Sequence, residues 1–438
     1  MSVRAIAEAL AKIAGSDHVV SDPGRLALAA VDGVTPRSVV RVSAVEQVSA
    51  VLALASEESL AVVPRGSGSA LDLGNPPARV DVVLDLGEMD RVVDYNPDDL
   101  TASVEAGLTA GAFAGRLAAR HQFLPVDSPG AGSRTLGGLV ATAAHGPLRA
   151  RYGTLRDFLL GVRFVQADGV VTWGGARVVK SVTGYDVPKL MVGSLGTLGV
   201  LCELTLRLHP RPEAEATRLL TFDSVEAAAA LVARLLDSSL EPNRVEFFNG
   251  AALGRLGVDG RVPAAIAVSV GSVEAAVRDE IATIESLAQA AGGRSESRPS
   301  DFWETYSAMT VDGGRVLALH VSSLPSQLAA TVRSVDQALT DLASGERAVI
   351  AGCAVFGTLD VLLRESAVPV AARFVERVRG AVAEVGGHAM VRRAPLTVRR
   401  AVDPWDSVEP GPMAVMRALR DEFDPRRVLN PGRFVGGL

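Results

Sequence analysis

The sequence is nearly without lysine: among 44 lysine and arginine residues only Lys12, Lys180 and Lys189 are lysine, and none follows a glycine. A P-loop needs a glycine-lysine-serine or glycine-lysine-threonine run whose lysine reaches the terminal phosphates, so that kind of nucleotide site is excluded. Cysteine is equally scarce. Cys202 and Cys353 stand far apart among apolar neighbours, which is too few thiolates for an iron–sulfur cluster and fits buried thiols in a reducing compartment. The six histidines, His18, His121, His145, His209, His320 and His388, include no two at a helical-turn or short metal-ligand spacing. The sequence therefore assigns no metal site. Basic residues number 44 and acidic ones 50, a net charge of −6 mixed along the chain; lacking a basic face, it is not expected to bind nucleic acid. No apolar run approaches a membrane span, and the N-terminal MSVRAIAEALAKIAGSD reads as an amphipathic helix, not a signal peptide. A cytoplasmic protein is expected, free to sit peripherally at the inner membrane through a complex.

What the chain does have is small residues, gathered in two loops. Its 438 residues, 48% of them hydrophobic, suffice for two or three domains with full cores. Residues 64–74 read PRGSGSALDLG, and residues 128–161 read SPGAGSRTLGGLVATAAHGPLRARYGTLRDFLLG. So many small residues leave backbone N–H groups open to a close-approaching anion or flat ring. Two such loops read as two clamps on one large phosphate-bearing cofactor. A Rossmann fingerprint needs G-x-G-x-x-G between a strand and the helix it opens. Gly66-Ser67-Gly68 lacks the third glycine, and Gly130-Ala131-Gly132 has Thr135 in its place, so that reading fails too.

Around the loops, a β-branched run at 39–42, a helical pattern at 45–59 and an apolar segment at 60–63 predict a β-α-β unit ending at the first loop. Further strands are expected at 80–84, 91–94, 100–105 and 199–208, a helix at 110–121, and a hairpin turning at Ala167-Asp168-Gly169. His209-Pro210-Arg211-Pro212 is the expected boundary, since proline suits neither strand nor helix interiors. Beyond it, alanine-rich helices (224–240, 273–291) alternate with strands (245–248, 264–270, 316–321), an α+β pattern. A last helix, 412–423, precedes the tail.

Taken in order, Pro64 to Ser69, Ser133-x-Thr135-Leu136-Gly137-Gly138 with Ala141-Thr142, Arg151-Tyr152-Gly153, Lys180 to Asp186, Gly193 to Gly199 and Leu429-Asn430-Pro431-Gly432-Arg433 resemble the FAD-binding half of the vanillyl-alcohol oxidase, or PCMH-type, superfamily. Within it the chain is most similar to the FAD-binding subunits of bacterial glycolate oxidase complexes. The resemblance implies an α+β fold: a two-subdomain PCMH-type FAD-binding domain plus an α+β substrate or cap domain. The implied divisions are 1–30, an N-terminal helical segment; 31–211, the FAD-binding domain; 212–400, the cap; and 401–438, a segment returning to the FAD domain. It also implies that Arg65, Gly66, Ser67, Gly68 and Ser69 cradle the pyrophosphate. Ser133, Thr135, Leu136, Gly137 and Gly138 would form the opposite wall, with Ala141 and Ala144 against the flavin or ribityl chain. Gly199, Val200 and Asn430 would hold the remaining edge. Relatives with a covalent flavin carry histidine or cysteine in the first loop; this chain has neither there, so non-covalent FAD is implied.

The chemistry on a substrate is harder to read. Lys180, Tyr185, Arg151 and Tyr152 are the candidates to bind a carboxylate or orient the flavin, and His145 lies inside the central block. Hydroxyacid-oxidising members of the superfamily, including the larger flavin subunit, carry histidine-rich metal motifs in the second domain. The comparable stretch here, AVIAGCAVFGTLDVLL at 348–363, has no histidine and no adjacent acid pair, leaving both metal and general base unassigned. The resemblance implies a flavoprotein subunit of a complex oxidising a small 2-hydroxyacid, partnered by a larger flavin subunit and an iron–sulfur subunit. A stand-alone FAD-dependent alcohol or hydroxyacid oxidase and a non-catalytic assembly subunit with a vestigial FAD fold are the alternatives.

Overall fold

The computed structural model describes residues 2–176, 185–259, 261–311, 316–340, 342, 347–364 and 368–438. Lys180 lies outside them. The amphipathic N-terminal pattern does form a helix, Val3–Ala14, capped by Ser2, whose hydroxyl accepts from the Ala5 N–H. Ile6, Leu10 and Ala14, spaced by one turn, are its buried face and join the core of a first sheet. That sheet runs in the order Val19–Val20, Ser38–Arg41, Val82–Asp85, Val62–Arg65. Its last three strands are parallel, with helix Val45–Glu57 as the crossover and the first glycine loop leaving its last strand. The predicted β-α-β unit is thus present.

A second sheet is antiparallel throughout, in the order Val92–Asn96, Thr101–Glu105, Val200–Arg207, Leu159–Val165, Val171–Gly175. The chain's turn at Asp168-Gly169 joins the last two as expected, Gly169 adopting a positive φ of 92°. The 128–161 segment packs short helices on this sheet's buried face, Leu136, Leu139 and Val140 being fully covered. Each such side chain contributes roughly 1.5–3 kcal/mol by leaving water.

The third sheet has eight antiparallel strands: Arg294–Arg298, Ala214–Phe222, Ala264–Ser272, Arg244–Asn249, Val349–Cys353, Thr358–Arg364, Val316–Ser322 and His388–Arg393. Helices Val225–Leu236, Glu274–Ala290, Leu328–Thr340 and Val368–Ala383 share one large core with it. The tail then returns to the first sheet: Val62 N–H donates to the Val428 carbonyl (2.7 Å) and Asn430 N–H to the Val62 carbonyl (3.0 Å). Among the described residues no helix is long and apolar enough to cross a membrane. Both cysteines are free and buried.

Candidate functional site

The two glycine loops face each other across a channel. Gly66 is where they touch. A Cβ built there would stand 2.2 Å from Thr135 Oγ1, so only glycine lets the first loop pass the second. Thr135 is held in place because its hydroxyl caps helix Leu136–Ala141, accepting from the Gly138 N–H (3.3 Å). The loops are not equivalent. In the second, Leu136 N–H is spent on the Leu108 carbonyl and Gly137 N–H on the Ala106 carbonyl, both at 2.8 Å. In the first, no protein acceptor meets the N–H of Gly66, Ser67, Gly68 or Ser69 among the described residues. Four successive free donors beside Arg65 make an anion cradle.

The tail closes one side. Arg420, 1% exposed, pairs with the fully buried Asp424 (3.1 Å) and donates to the carbonyls of Thr197 and Leu429. Asp424 in turn accepts from the Val428 and Leu429 N–H groups at 2.9 and 2.8 Å. This knot sets Asn430 in a left-handed conformation (φ 44°), its amide donating to the Leu195 carbonyl at 2.7 Å. Asn430 Oδ1 is buried without a partner.

The channel opens into a chamber through Ser69, Ala70, Arg134 and Thr142, which line both. The chamber opens in turn, through Ser128, Pro129, Thr310, Asp360 and Arg392, into a cavity of about 530 Å³ between the 127–149 segment and the eight-stranded sheet. Asp127 ties the two walls together, accepting from the Leu148 N–H (3.0 Å) and from Arg244 (3.1 Å).

The cavity's polar groups form two sets. In one, His320 and Asp360 are register partners on adjacent strands, and His320 Nδ1 lies 2.8 Å from Asp360 Oδ1. A carboxylate only accepts, so Nδ1 carries the proton and Nε2 is a free base. His145, 5.5 Å away ring to ring, likewise gives Nδ1–H to the Ala143 carbonyl (3.1 Å). Burial lowers the pKa of both imidazoles, and Arg149 and Arg392 add to the effect. Burial alone would raise Asp360, but Arg392 (3.4 Å) and His320 hold its carboxyl below the usual range. In the other set, Glu246, 2% exposed, accepts from Tyr306 OH at 2.9 Å. Burial pushes the Glu246 carboxyl up to about 8 and the Cys353 thiol up to about 12, so both are largely neutral near pH 7. Arg244 is paired with Asp127 and Glu215 and Arg392 with Asp360, so Arg149, which pairs with no carboxylate among the described residues, is the cation the cavity leaves for an anion.

Most cofactor candidates meet in the channel: Arg65 to Ser69 on one wall, Thr135, Gly137, Gly138 and Ala141 on the other, with Gly199, Val200 and Asn430 at the edge. Three do not line it. Leu136 is fully buried in the core, Ser133 bonds the Gly130 carbonyl at the surface, and Ala144 lines the chamber beyond. Of the catalytic candidates, Tyr185 is 95% exposed, and Arg151 pairs with Glu241. Tyr152 packs edge-on to Phe123 and His209. None of these three lines the cavity. The groups that do, His320, Asp360 and Arg392, come from three strands far apart in sequence. Asp360 was visible in the 348–363 stretch, but its partner lay on another strand.

The first loop's free N–H groups, the glycine contact at Thr135 and the orphaned Asn430 oxygen suit a pyrophosphate and a hydrogen-bonding ring or ribityl chain; among the described residues no histidine or cysteine lines the channel. A divalent cation does not fit the cavity. Asp360 is committed to Arg392 and His320, arginines surround both imidazoles, and no group of three or more His, Cys, Asp or Glu is placed to hold a metal among the described residues.

Comparison with known proteins agrees with this geometry. Residues 36–175 match the FAD binding domain, and residues 211–388 and 406–434 match the C-terminal domain of FAD linked oxidases. The glycolate oxidase subunit GlcD of Bacillus subtilis is 25% identical over 425 residues, 91% of this chain and 88% of that one. A probable mitochondrial D-lactate dehydrogenase of Danio rerio is 28% identical over 430 residues, 91% of this chain and 84% of that one. Among solved structures, p-cresol methylhydroxylase with substrate bound superposes with a TM-score of 0.80 at 16% identity, covering 98% of this chain and 96% of that one, which establishes the PCMH-type fold.

Proposed function

The chain belongs to the FAD-linked oxidases, and we propose that it oxidises a small 2-hydroxyacid in the cavity at the end of its FAD channel, as the flavoprotein subunit of a glycolate-oxidising complex. The observation that carries this reading is a free imidazole base sharing one cavity with Arg149, which pairs with no carboxylate among the described residues, and with Arg392 beside Asp360. Arg392 and Arg149 would bind the substrate carboxylate through charge-assisted hydrogen bonds. His320, its tautomer fixed by Asp360, would take the hydroxyl proton on Nε2. His145 presents a second neutral Nε2 beside it. Bound FAD supplies a hydride-accepting ring for the carbon that carries the hydroxyl. The walls that Asp127 and Arg244 hold together would keep water from the reacting carbon.

Two relatives support the substrate class, one named for glycolate and one for D-lactate. The word subunit in the first supports membership of a complex. This chain's two cysteines cannot hold an iron–sulfur cluster, so onward electron transfer falls to a larger flavin subunit and an iron–sulfur subunit. Such partners would also account for a cytoplasmic chain working at the inner membrane.

The test is the visible spectrum of the purified chain, alone and with its partners, during anaerobic titration with glycolate and D-lactate. Bleaching of a yellow protein by either acid is expected. A protein that takes up no FAD, or a yellow one that neither acid bleaches even with its partners, would overturn the reading.

A further inference from the structure

Arg134 is the only basic residue among the described ones that lines both the cofactor channel and the chamber leading to the cavity. It is the unassigned residue inside the Ser133-x-Thr135 motif, and its placement is tightly defined. Its Nη2 donates to Thr142 Oγ1 at 3.0 Å, and Thr142 is anchored by donating to the Gly138 carbonyl at 2.7 Å. Its Nε is buried with no partner. The carboxylates nearby are taken, Asp360 by Arg392 (3.4 Å) and Asp72 by Arg393 (3.6 Å). A half-buried guanidinium beside Arg392 and Arg393, its Nε buried without a partner and no carboxylate of its own among the described residues, favours an electron-rich neighbour at that nitrogen beyond what Thr142 gives.

The channel says which neighbour that is. The cradle at Gly66 to Ser69 takes the pyrophosphate, and the cavity beyond takes the substrate. Only the redox-active ring of FAD has to stand at the opening between them, because only that part must meet substrate. We propose that Arg134 hydrogen-bonds the carbonyl and nitrogen edge of that ring and sets an uncompensated positive charge against it, raising the reduction potential of the bound cofactor. This rests on the substrate-cavity reading above. Charge beside a ring that gains electrons favours the reduced state, whereas a purely packing role would not move the potential.

The experiment is the midpoint potential of FAD bound to the full chain, measured by dye equilibration for the wild type, R134Q and R134K. R134Q is expected to keep its yellow colour and lose at least tenfold in preference for the reduced cofactor, about 30 mV for a two-electron couple. R134K is expected to recover most of it. An unchanged potential in R134Q, or a potential in R134K as low as in R134Q, would overturn the proposal. Where R134Q cannot hold FAD, the other two proteins decide. A wild-type potential no higher than that of free FAD, or an R134K that also loses FAD, overturns it; a raised wild-type potential kept by R134K upholds it. A colourless wild type would instead remove the reading of the whole site, which keeps the two failures distinct.

Discussion

His320 and Asp360 face each other across adjacent strands, and the imidazole donates Nδ1–H to the carboxylate at 2.8 Å. That contact leaves Nε2 as the cavity's oriented base. H320Q should lower kcat by about 10²- to 10⁴-fold, the usual range for a positioned base, while bound FAD measured at 450 nm stays at the wild-type level. The pH profile follows from the shift: burial lowers the His320 pKa below its ordinary 6.5, so the neutral base persists into mild acid. The acid limb of kcat/KM should therefore fall below pH 6.5. D360N leaves at most a neutral amide oxygen as acceptor and removes the charge that raises the His320 pKa, so its limb should move further to acid and its kcat should drop. A limb above pH 6.5 in the wild type would contradict the assignment.

Arg392 holds Asp360 at 3.4 Å and still faces the cavity. A charge-assisted hydrogen bond to a substrate carboxylate contributes about 1.5–3 kcal/mol, so R392Q should raise KM roughly tenfold to a hundredfold. Because the arginine also depresses Asp360, R392Q should carry a smaller loss in kcat. Steady-state kinetics with glycolate and D-lactate separate the two effects. An unchanged KM would place the carboxylate elsewhere.

How much of this was legible in the sequence depends on distance along the chain. The first loop reads directly, because a run such as Arg65-Gly66-Ser67-Gly68-Ser69 both makes and displays its cradle. Gly137 reads only in part. It lines the channel, yet a Cβ there would lie 2.7 Å from the Ala106 Cβ and its N–H is already used, so its need for glycine comes from helix–strand packing. The catalytic candidates at 151, 152 and 185 followed motif proximity, and the fold turns them away from the cavity. Of the cavity groups, His320 and Asp360 are joined by β-register, Arg392 comes from a third strand and His145 from a loop, and no local pattern announces these partners. Cross-strand pairing of that kind is a tertiary fact.

Gly66 offers a test of the cofactor channel that leaves the cavity alone. A Cβ at this position would stand 2.2 Å from Thr135 Oγ1 and 2.8 Å from its Cγ2. G66A should therefore push the loops apart and abolish FAD retention, with the circular dichroism spectrum unchanged. T135G removes the clash, and glycine replaces a threonine cap at a cost of only a few tenths of a kcal/mol. The G66A/T135G pair should regain FAD, read as the 450 nm to 280 nm absorbance ratio. Loss of FAD in the double variant as complete as in G66A would mean that contact with Thr135 is not what requires glycine.

The Arg420–Asp424 knot is predicted to couple stability to cofactor binding. Removing one partner of a buried ion pair leaves the other uncompensated, typically a loss of about 3–5 kcal/mol. D424A also frees the Val428 and Leu429 N–H groups beside Asn430. It should lower Tm in thermal melts and weaken FAD affinity together. D421A, whose exposed carboxylate pairs with the half-exposed Arg427, should do neither, since exposed pairs contribute little.

Glu246 makes a prediction about pH and stability that is independent of any substrate. Its carboxyl, buried and hydrogen-bonded by Tyr306, is pushed from 4.5 to about 8. Between those values the folded chain keeps a proton that the unfolded chain has released, so this group's contribution to stability falls as pH rises from about 4.5 to 8 and levels off above. E246Q preserves the shape and the bond from Tyr306 and has no proton to lose. Its Tm relative to the wild type should therefore climb across that window and stay constant beyond pH 8, the difference reflecting on the order of a few kcal/mol. Paired thermal melts at half-unit pH intervals check it. A difference flat across the whole range would show that Glu246 titrates alike in both states, and the cavity would then hold an anionic carboxylate opposite Arg149.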